Sequence, residues 1–108
     1  MFPEIDSAKN QKVKLLRSLS QKKFREESGL FVIEGEKLIK EALDWGFSID
    51  FALFADEASG LAHSLADCGV EVFRASEQAI NAACDTETPQ GCIAAARIPQ
   101  NAHAAPQL

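Results

Sequence analysis

Apolar and polar positions along this chain of 108 residues alternate between helical and strand spacing. Val13, Leu16 and Leu19 fall on one side of a helical wheel, which predicts a first helix over residues 9–28 that Gly29 ends. The short apolar run 30–33 is bounded by turn residues and predicts a buried strand. The chain therefore opens with a helix that leads directly into a strand.

Segments with helical spacing and segments with strand spacing then alternate along the chain as far as residue 97. Helices are predicted over residues 38–45 and 58–68 and from Ser76 towards Cys84, and strands over residues 47–53, 70–73 and 92–97. Residues 85–91 contain proline and glycine and predict a loop. Strands that alternate with helices predict an α/β sandwich with a mainly parallel sheet.

Charge is distributed unevenly along this pattern. Seven of the eleven basic residues lie between Lys9 and Arg25, a stretch without an acid, whereas residues 26–108 carry four basic and fourteen acidic residues. A basic N-terminal segment followed by an acidic remainder of the chain favours a polyanion such as nucleic acid as the partner. A solvated helix face that balances its neighbours is the alternative reading of the same charges.

Several classes of protein do not fit the sequence. No apolar run is long enough to span a membrane, and the N-terminus lacks the pattern of a signal peptide. Three widely spaced cysteines suit reduced thiols in a cytoplasmic protein, and His63 and His103 lie far apart, so no metal site is expected. No catalytic or cofactor motif is present, so we expect no catalytic residue and no cofactor in this chain.

Three stretches are more specific when taken together: residues 12–17 (KVKLLR), 29–43 (GLFVIEGEKLIKEAL) and 85–91 (DTETPQG). In this order and spacing they resemble the N-terminal substrate-binding domain of the SpoU (TrmH-type) RNA 2′-O-ribose methyltransferases. The resemblance implies a three-layer α/β fold like that of kink-turn-binding ribosomal proteins, with a mixed, mainly parallel four-stranded sheet flanked by helices. It also implies a function, which is to hold ribosomal or transfer RNA for a second domain.

That second domain would bind S-adenosylmethionine, carry the catalytic residues and form a homodimer, whereas the present domain alone would be a non-catalytic monomer. Residues 1–97 are then the RNA-binding domain and residues 98–108 a linker. A free-standing RNA-binding protein of kink-turn type and a protein-interaction domain that uses its acidic face are the alternatives. The sequence does not identify the RNA or the modified nucleotide.

The candidate RNA contacts are basic side chains of the first helix and residues of two loops: Lys12, Lys14, Arg17, Lys22, Lys23, Arg25, Glu34, Gly35, Lys37 and Gln90. Arg17 and Arg25 lie opposite the apolar stripe, so neither is expected to hold the core. Glu34 and Gly35 fit an RNA-facing junction or a simple turn equally well, and residues 88–91 either bind RNA or shape their loop.

The aromatic residues divide into two groups. One is expected in the core and consists of Trp45, Phe31, Phe47, Phe51, Phe54 and Phe73. Phe24 lies off the apolar stripe among basic residues, where its ring suits stacking on a base.

Overall fold

The computed structural model describes residues 2–56, 58–84 and 91–99. Within these residues five strands and five helices follow one another along the chain. They are β1 (Glu4–Ile5), α1 (Gln11–Ser18), α2 (Lys22–Ser28), β2 (Leu30–Glu34), α3 (Glu36–Asp44), β3 (Ile49–Phe54), α4 (Gly60–Asp67), β4 (Glu71–Ala75), α5 (Glu77–Ala83) and β5 (Cys92–Arg97). No helix of the described residues is long and apolar enough to cross a membrane.

The strands form one sheet in the order β1-β4-β3-β5-β2. β4 pairs in parallel with β1 and β3, whereas β5 pairs antiparallel with β3 and β2. The predicted α/β class and the mixed, mainly parallel sheet are confirmed, with one correction. The sheet of the described residues has five strands and not four, because Glu4 and Ile5, too few to show a period, pair with Arg74 and Ala75. Four of these strands run in one direction, and β5 runs opposite to its neighbours β3 and β2.

The predicted helix over residues 9–28 is two helices. Ser18 ends α1, Leu19 caps it, and α2 begins only at Lys22. The Ser18 and Ser20 hydroxyls donate to the carbonyls of Leu15 and Arg17, bonds that compete with continuation of the helix. The break lets Leu19 stay buried while α2 turns towards β2. Gly29 ends α2 in the left-handed conformation, with φ 74°, as predicted.

Helices cover both faces of the sheet and enclose two cores. On one face α1 and α5 bury Val13, Leu16, Ala79 and Ile80 against strand residues that include Phe51 and Leu53. On the other face α3 and α4 bury Ile39, Ala62 and Leu65 against residues that include Ala52 and Phe54. Successive residues of β3 thus point to opposite cores, which is the geometry of a strand covered on both sides.

The expectation that Trp45 lies in the core is wrong. Trp45 is 80% exposed and Leu38 is 54% exposed, and α3 buries only Ile39. On the helical wheel Trp45 falls beside the exposed Leu38 and about 120° from the buried Ile39, so it lies outside the buried side of α3. Among the phenylalanines, Phe51 and Phe54 are buried, whereas Phe31, Phe47 and Phe73 are only partly covered.

All three cysteines are free thiols; Cys84 and Cys92 are buried and Cys68 is exposed. Burial, aided by the charge of Glu34, raises the pKa of Cys84 to about 12. Burial, aided by the charge of Glu36, raises the pKa of Cys92 to about 11. In the folded protein both thiols therefore stay neutral to a higher pH than in the unfolded chain.

These thiols predict a loss of stability at alkaline pH. The ordinary pKa of a cysteine thiol is 9.0. Below this pH both thiols are neutral in the folded and in the unfolded chain, so the stability that they contribute is fully present. As pH rises from 9 towards the folded pKa values, only the unfolded chain loses these protons, and stability falls by up to about 1.4 kcal/mol per pH unit for each thiol. Urea unfolding between pH 8 and 10.5 measures this. The Cys84→Ala variant should show a shallower slope, and an equal slope would contradict the prediction.

Candidate nucleic-acid interface

Lys12 is half-buried at the start of α1. Its backbone N–H donates to the Asn10 side chain at 2.8 Å, which caps the helix. Its Nζ lies 3.6 Å from Glu71 Oε1 and 4.7 and 5.5 Å from the ring centroids of Phe51 and Phe73. Lys12 therefore covers the sheet with its ammonium over two rings. Its candidate role in RNA binding stays a prediction. The Lys12 ammonium already forms an ion pair with Glu71.

Arg17 and Arg25 each tie two parts of the backbone together. Arg17 Nη1 donates to the Cys84 carbonyl at 3.0 Å, joining α1 to the end of α5. Arg25 Nη1 donates to the Leu19 carbonyl at 2.9 Å, across the break between α1 and α2. Neither arginine belongs to the buried core, but each supports the fold through a backbone carbonyl, which a helical wheel does not reveal. These bonds also hold both guanidinium groups in place.

The remaining basic side chains of this region are exposed. Lys14 lines a depression of about 290 Å³ with Arg17, where α1 meets α2. Lys22 Nζ lies 3.8 Å from Glu26, an exposed pair that contributes little stability. Lys23 Nζ lies 5.5 Å from the ring centroid of Phe24, which is partly exposed. The structure therefore presents these three candidate lysines to solvent, and their RNA contacts stay predictions, as does stacking on Phe24.

The second specific stretch of the sequence meets the start of β5 at one end of the sheet. The N–H of Gly35 donates to the Cys92 carbonyl at 3.1 Å, and the N–H of Ala55 to the Gly91 carbonyl at 2.9 Å. Gly35 caps α3 with φ 96°, a conformation that favours glycine. Lys37 is exposed in the first turn of α3. Gln90 lies outside the described residues, as do residues 88 and 89 of its loop.

Glu34 connects this junction to the basic helices. A hydrogen bond between its carboxylate and the Cys84 thiol contributes to the raised pKa of that thiol. Glu34 and Arg25 also line one cavity of about 390 Å³ between α2 and β2, together with Leu16, Leu19, Ser20, Phe31, Val32 and Ala83. A cation, Arg25, and an anion, Glu34, which come from two separate stretches of the sequence, therefore line the same cavity.

Ser59 supports this junction structurally, a role that is absent from the sequence-based candidates. Its Oγ accepts from the N–H of Ala62 at 3.3 Å, capping α4, and donates to Glu36 Oε2 at 3.1 Å. The sequence places a helix over residues 58–68, so Ser59 falls inside it, although a serine near a helix start is a recognisable capping signal. Among the described residues no group of histidine, cysteine, aspartate and glutamate is arranged to hold a metal ion.

Comparison with known proteins gives a consistent result. The MRM3-like substrate binding domain matches residues 10–94. The chain is 39% identical over 97 residues to the 23S rRNA (guanosine(2553)-2'-O)-methyltransferase RlmP of Bacillus subtilis (strain 168), covering 90% of this chain and 38% of that protein. The chain thus spans little more than a third of the length of that relative.

Solved structures agree with this match. The AdoMet-bound rRNA methyltransferase from Sinorhizobium meliloti is 30% identical, with a TM-score of 0.77 over 91% of this chain and 37% of that chain. The SpoU methyltransferase AviRb from Streptomyces viridochromogenes, in complex with AdoMet, has the same fold, with a TM-score of 0.71 at 19% identity over 86% of this chain and 37% of that chain. The family predicted from the three sequence stretches is confirmed, and the chain belongs to the MRM3-like substrate binding domain family.

Proposed function

We propose that this chain holds ribosomal RNA for an enzyme that methylates a ribose 2′-hydroxyl. The observation that carries the proposal is that Arg25 and Glu34 line one cavity, beside the Gly35 junction. Arginine binds phosphate through several N–H donors, and a carboxylate accepts from a base or a ribose hydroxyl. A site with both groups suits folded RNA, which presents phosphates beside unpaired bases.

The electrostatics of the surface support the same function. Lys14, Lys22 and Lys23 are exposed around the two arginines, and the stretch from Lys9 to Arg25 contains no acid. Contacts between lysine and phosphate release counterions and fix the position of the RNA without reading its sequence. The basic helices would therefore provide affinity, while Glu34, Lys37 and Gln90 would provide discrimination between RNAs.

The chemistry of methyl transfer would belong to another part of the full-length protein. Relatives of this chain are methyltransferases more than twice its length, and two of their structures contain AdoMet. S-adenosylmethionine, the catalytic residues and a homodimer interface are proposed for that part, and the cytoplasm is proposed as the location. The present domain would contribute by positioning the RNA, which converts binding energy into rate.

We expect this chain to bind a structured fragment of 23S ribosomal RNA with strong dependence on salt. Each phosphate contact should add about 0.7–0.9 to the slope of log affinity against log salt concentration. Fluorescence titration with the RNA fragment at several salt concentrations measures the slope, and a transfer RNA of similar length tests the choice of substrate. Absence of binding at low salt would overturn the proposed function.

A further inference from the structure

The outer edge of β2 borders an uncovered apolar groove. β2 is the last strand in the sheet order, and among the described residues it pairs only with β5. Beside its other edge lies a groove of about 350 Å³, formed mainly by Phe31, Val32, Leu38, Ala42, Trp45 and Phe47. Proteins usually cover or charge such edges, because an open apolar edge binds other chains. The groove therefore has the character of a contact surface.

Trp45 and Leu38 are the large apolar side chains that the fold leaves most exposed, at 80% and 54%. Both lie in this groove, and the rings of Phe31 and Phe47 meet edge to face within it at 5.9 Å. Aromatic side chains gathered at one exposed site are typical of the central contacts of protein interfaces. The apolar residues are thus concentrated at one place and not scattered over the surface.

The charges around the groove select a polypeptide over RNA. Glu34 lines both the groove and the cavity with Arg25, and the other charged residue of the groove is Glu41, an exposed acid. The nearby Lys40 forms an ion pair with Asp44 at 2.9 Å. The groove thus offers phosphate no basic side chain of its own, whereas it suits an apolar protein surface that carries a basic residue opposite Glu41.

The groove also lies where the chain leaves the sheet. Trp45 and Phe47 line a second depression, of about 380 Å³, with Arg97, Ile98 and Pro99. The N–H of Ile98 donates to the Gly29 carbonyl at 2.8 Å, which holds this exit against the sheet. A domain that follows Pro99 is therefore tethered beside the groove at high effective concentration.

We infer that the groove docks the methyl-transferring domain that follows residue 99 in the full-length protein. The inference rests on the proposed function, and the length of the relatives supports it, since this chain spans only 38% of the Bacillus enzyme. Phe31, Val32 and Glu34 line both this groove and the cavity that holds Arg25. Docking at the groove would therefore orient the RNA-binding surface through a single strand, β2.

Hydrogen exchange with mass spectrometry tests the inference by comparing the full-length protein with the present chain. Peptides that contain residues 31–34 and 43–47 should exchange on the order of tenfold more slowly in the full-length protein. The double variant Leu38→Ser and Trp45→Ser should abolish this protection in the full-length protein. It should leave the melting temperature of the short chain nearly unchanged, because both side chains are already exposed. Gln78→Ser, an exposed residue of α5, is the matched control and should retain the protection.

Three outcomes would overturn the inference. Equal exchange in the two proteins would show that the groove stays open. Protection of the short chain that rises with its concentration would identify a second copy as the occupant, and protection that appears only with RNA would identify RNA. Trp45 is the only tryptophan of the chain, so its fluorescence emission directly reports whether a second copy or RNA binds at the groove of the short chain. RNA titration of the same samples tests the proposed function separately, because RNA binding can persist while the groove stays open.

Discussion

Reversing the charges of Lys14, Lys22 and Lys23 together is expected to weaken RNA binding more than tenfold at low salt. These side chains are exposed, and no backbone carbonyl of the described residues accepts a hydrogen bond from them. If each contacts one phosphate, the triple variant should reduce the salt slope by about two to three units. Titration of the 23S ribosomal RNA fragment at four salt concentrations measures both effects, and the melting temperature should change little.

Two control variants separate RNA contacts from structural roles. Lys40→Glu reverses one charge on α3, on the other side of the sheet, and should alter the salt slope by much less than a third of the change in the triple variant. Arg25→Ala should lower both RNA affinity and stability, the latter by about 1 kcal/mol, because the Leu19 carbonyl loses its donor. A triple lysine variant that binds RNA as tightly as the unchanged chain would show that the basic surface serves solubility and not RNA.

Truncation of Phe51 to alanine is expected to destabilise the fold by about 3–5 kcal/mol. The Phe51 side chain is 2% exposed in the core between the sheet and helices α1 and α5. Its ring also supports the ammonium of Lys12 at 4.7 Å. Since a domain of this size is stable by about 5–15 kcal/mol, the loss is a large part of the total. Urea unfolding followed by circular dichroism gives the change in the free energy of unfolding.

The matched control for this change is Phe24→Ala. Phe24 is partly exposed on α2, a helix without buried residues, so the same truncation should cost far less stability. A small effect at Phe51, or an equal effect at the two positions, would contradict the assignment of the core. RNA titration of Phe24→Ala in addition tests the prediction that this ring stacks on a base.

The sequence alone was sufficient for the order of elements where the signal is local. Gly29 ends its helix and Ser76 caps α5, because a left-handed glycine and a serine hydroxyl act on their immediate neighbours. Alternation along β3 correctly identified Phe51 and Leu53 as buried. The family also followed from sequence, since residues 12–17, 29–43 and 85–91 keep a specific order and spacing. Such features can be predicted without knowing which helices and strands contact each other.

Tertiary structure decided everything that depends on contacts between distant residues. β1 exists only because β4 offers a parallel edge to Glu4 and Ile5, two residues without a period of their own. Arg17 reaches a carbonyl at residue 84, and the Gly35 junction meets β5 through Cys92, contacts that no local pattern encodes. Trp45 fits the apolar period of α3, yet it is exposed, as is Leu38, because the fold packs only the Ile39 side of this helix against the sheet. Local periodicity thus predicted most of the elements, and long-range packing determined which side chains form the core, the cavity with Arg25 and Glu34, and the open groove.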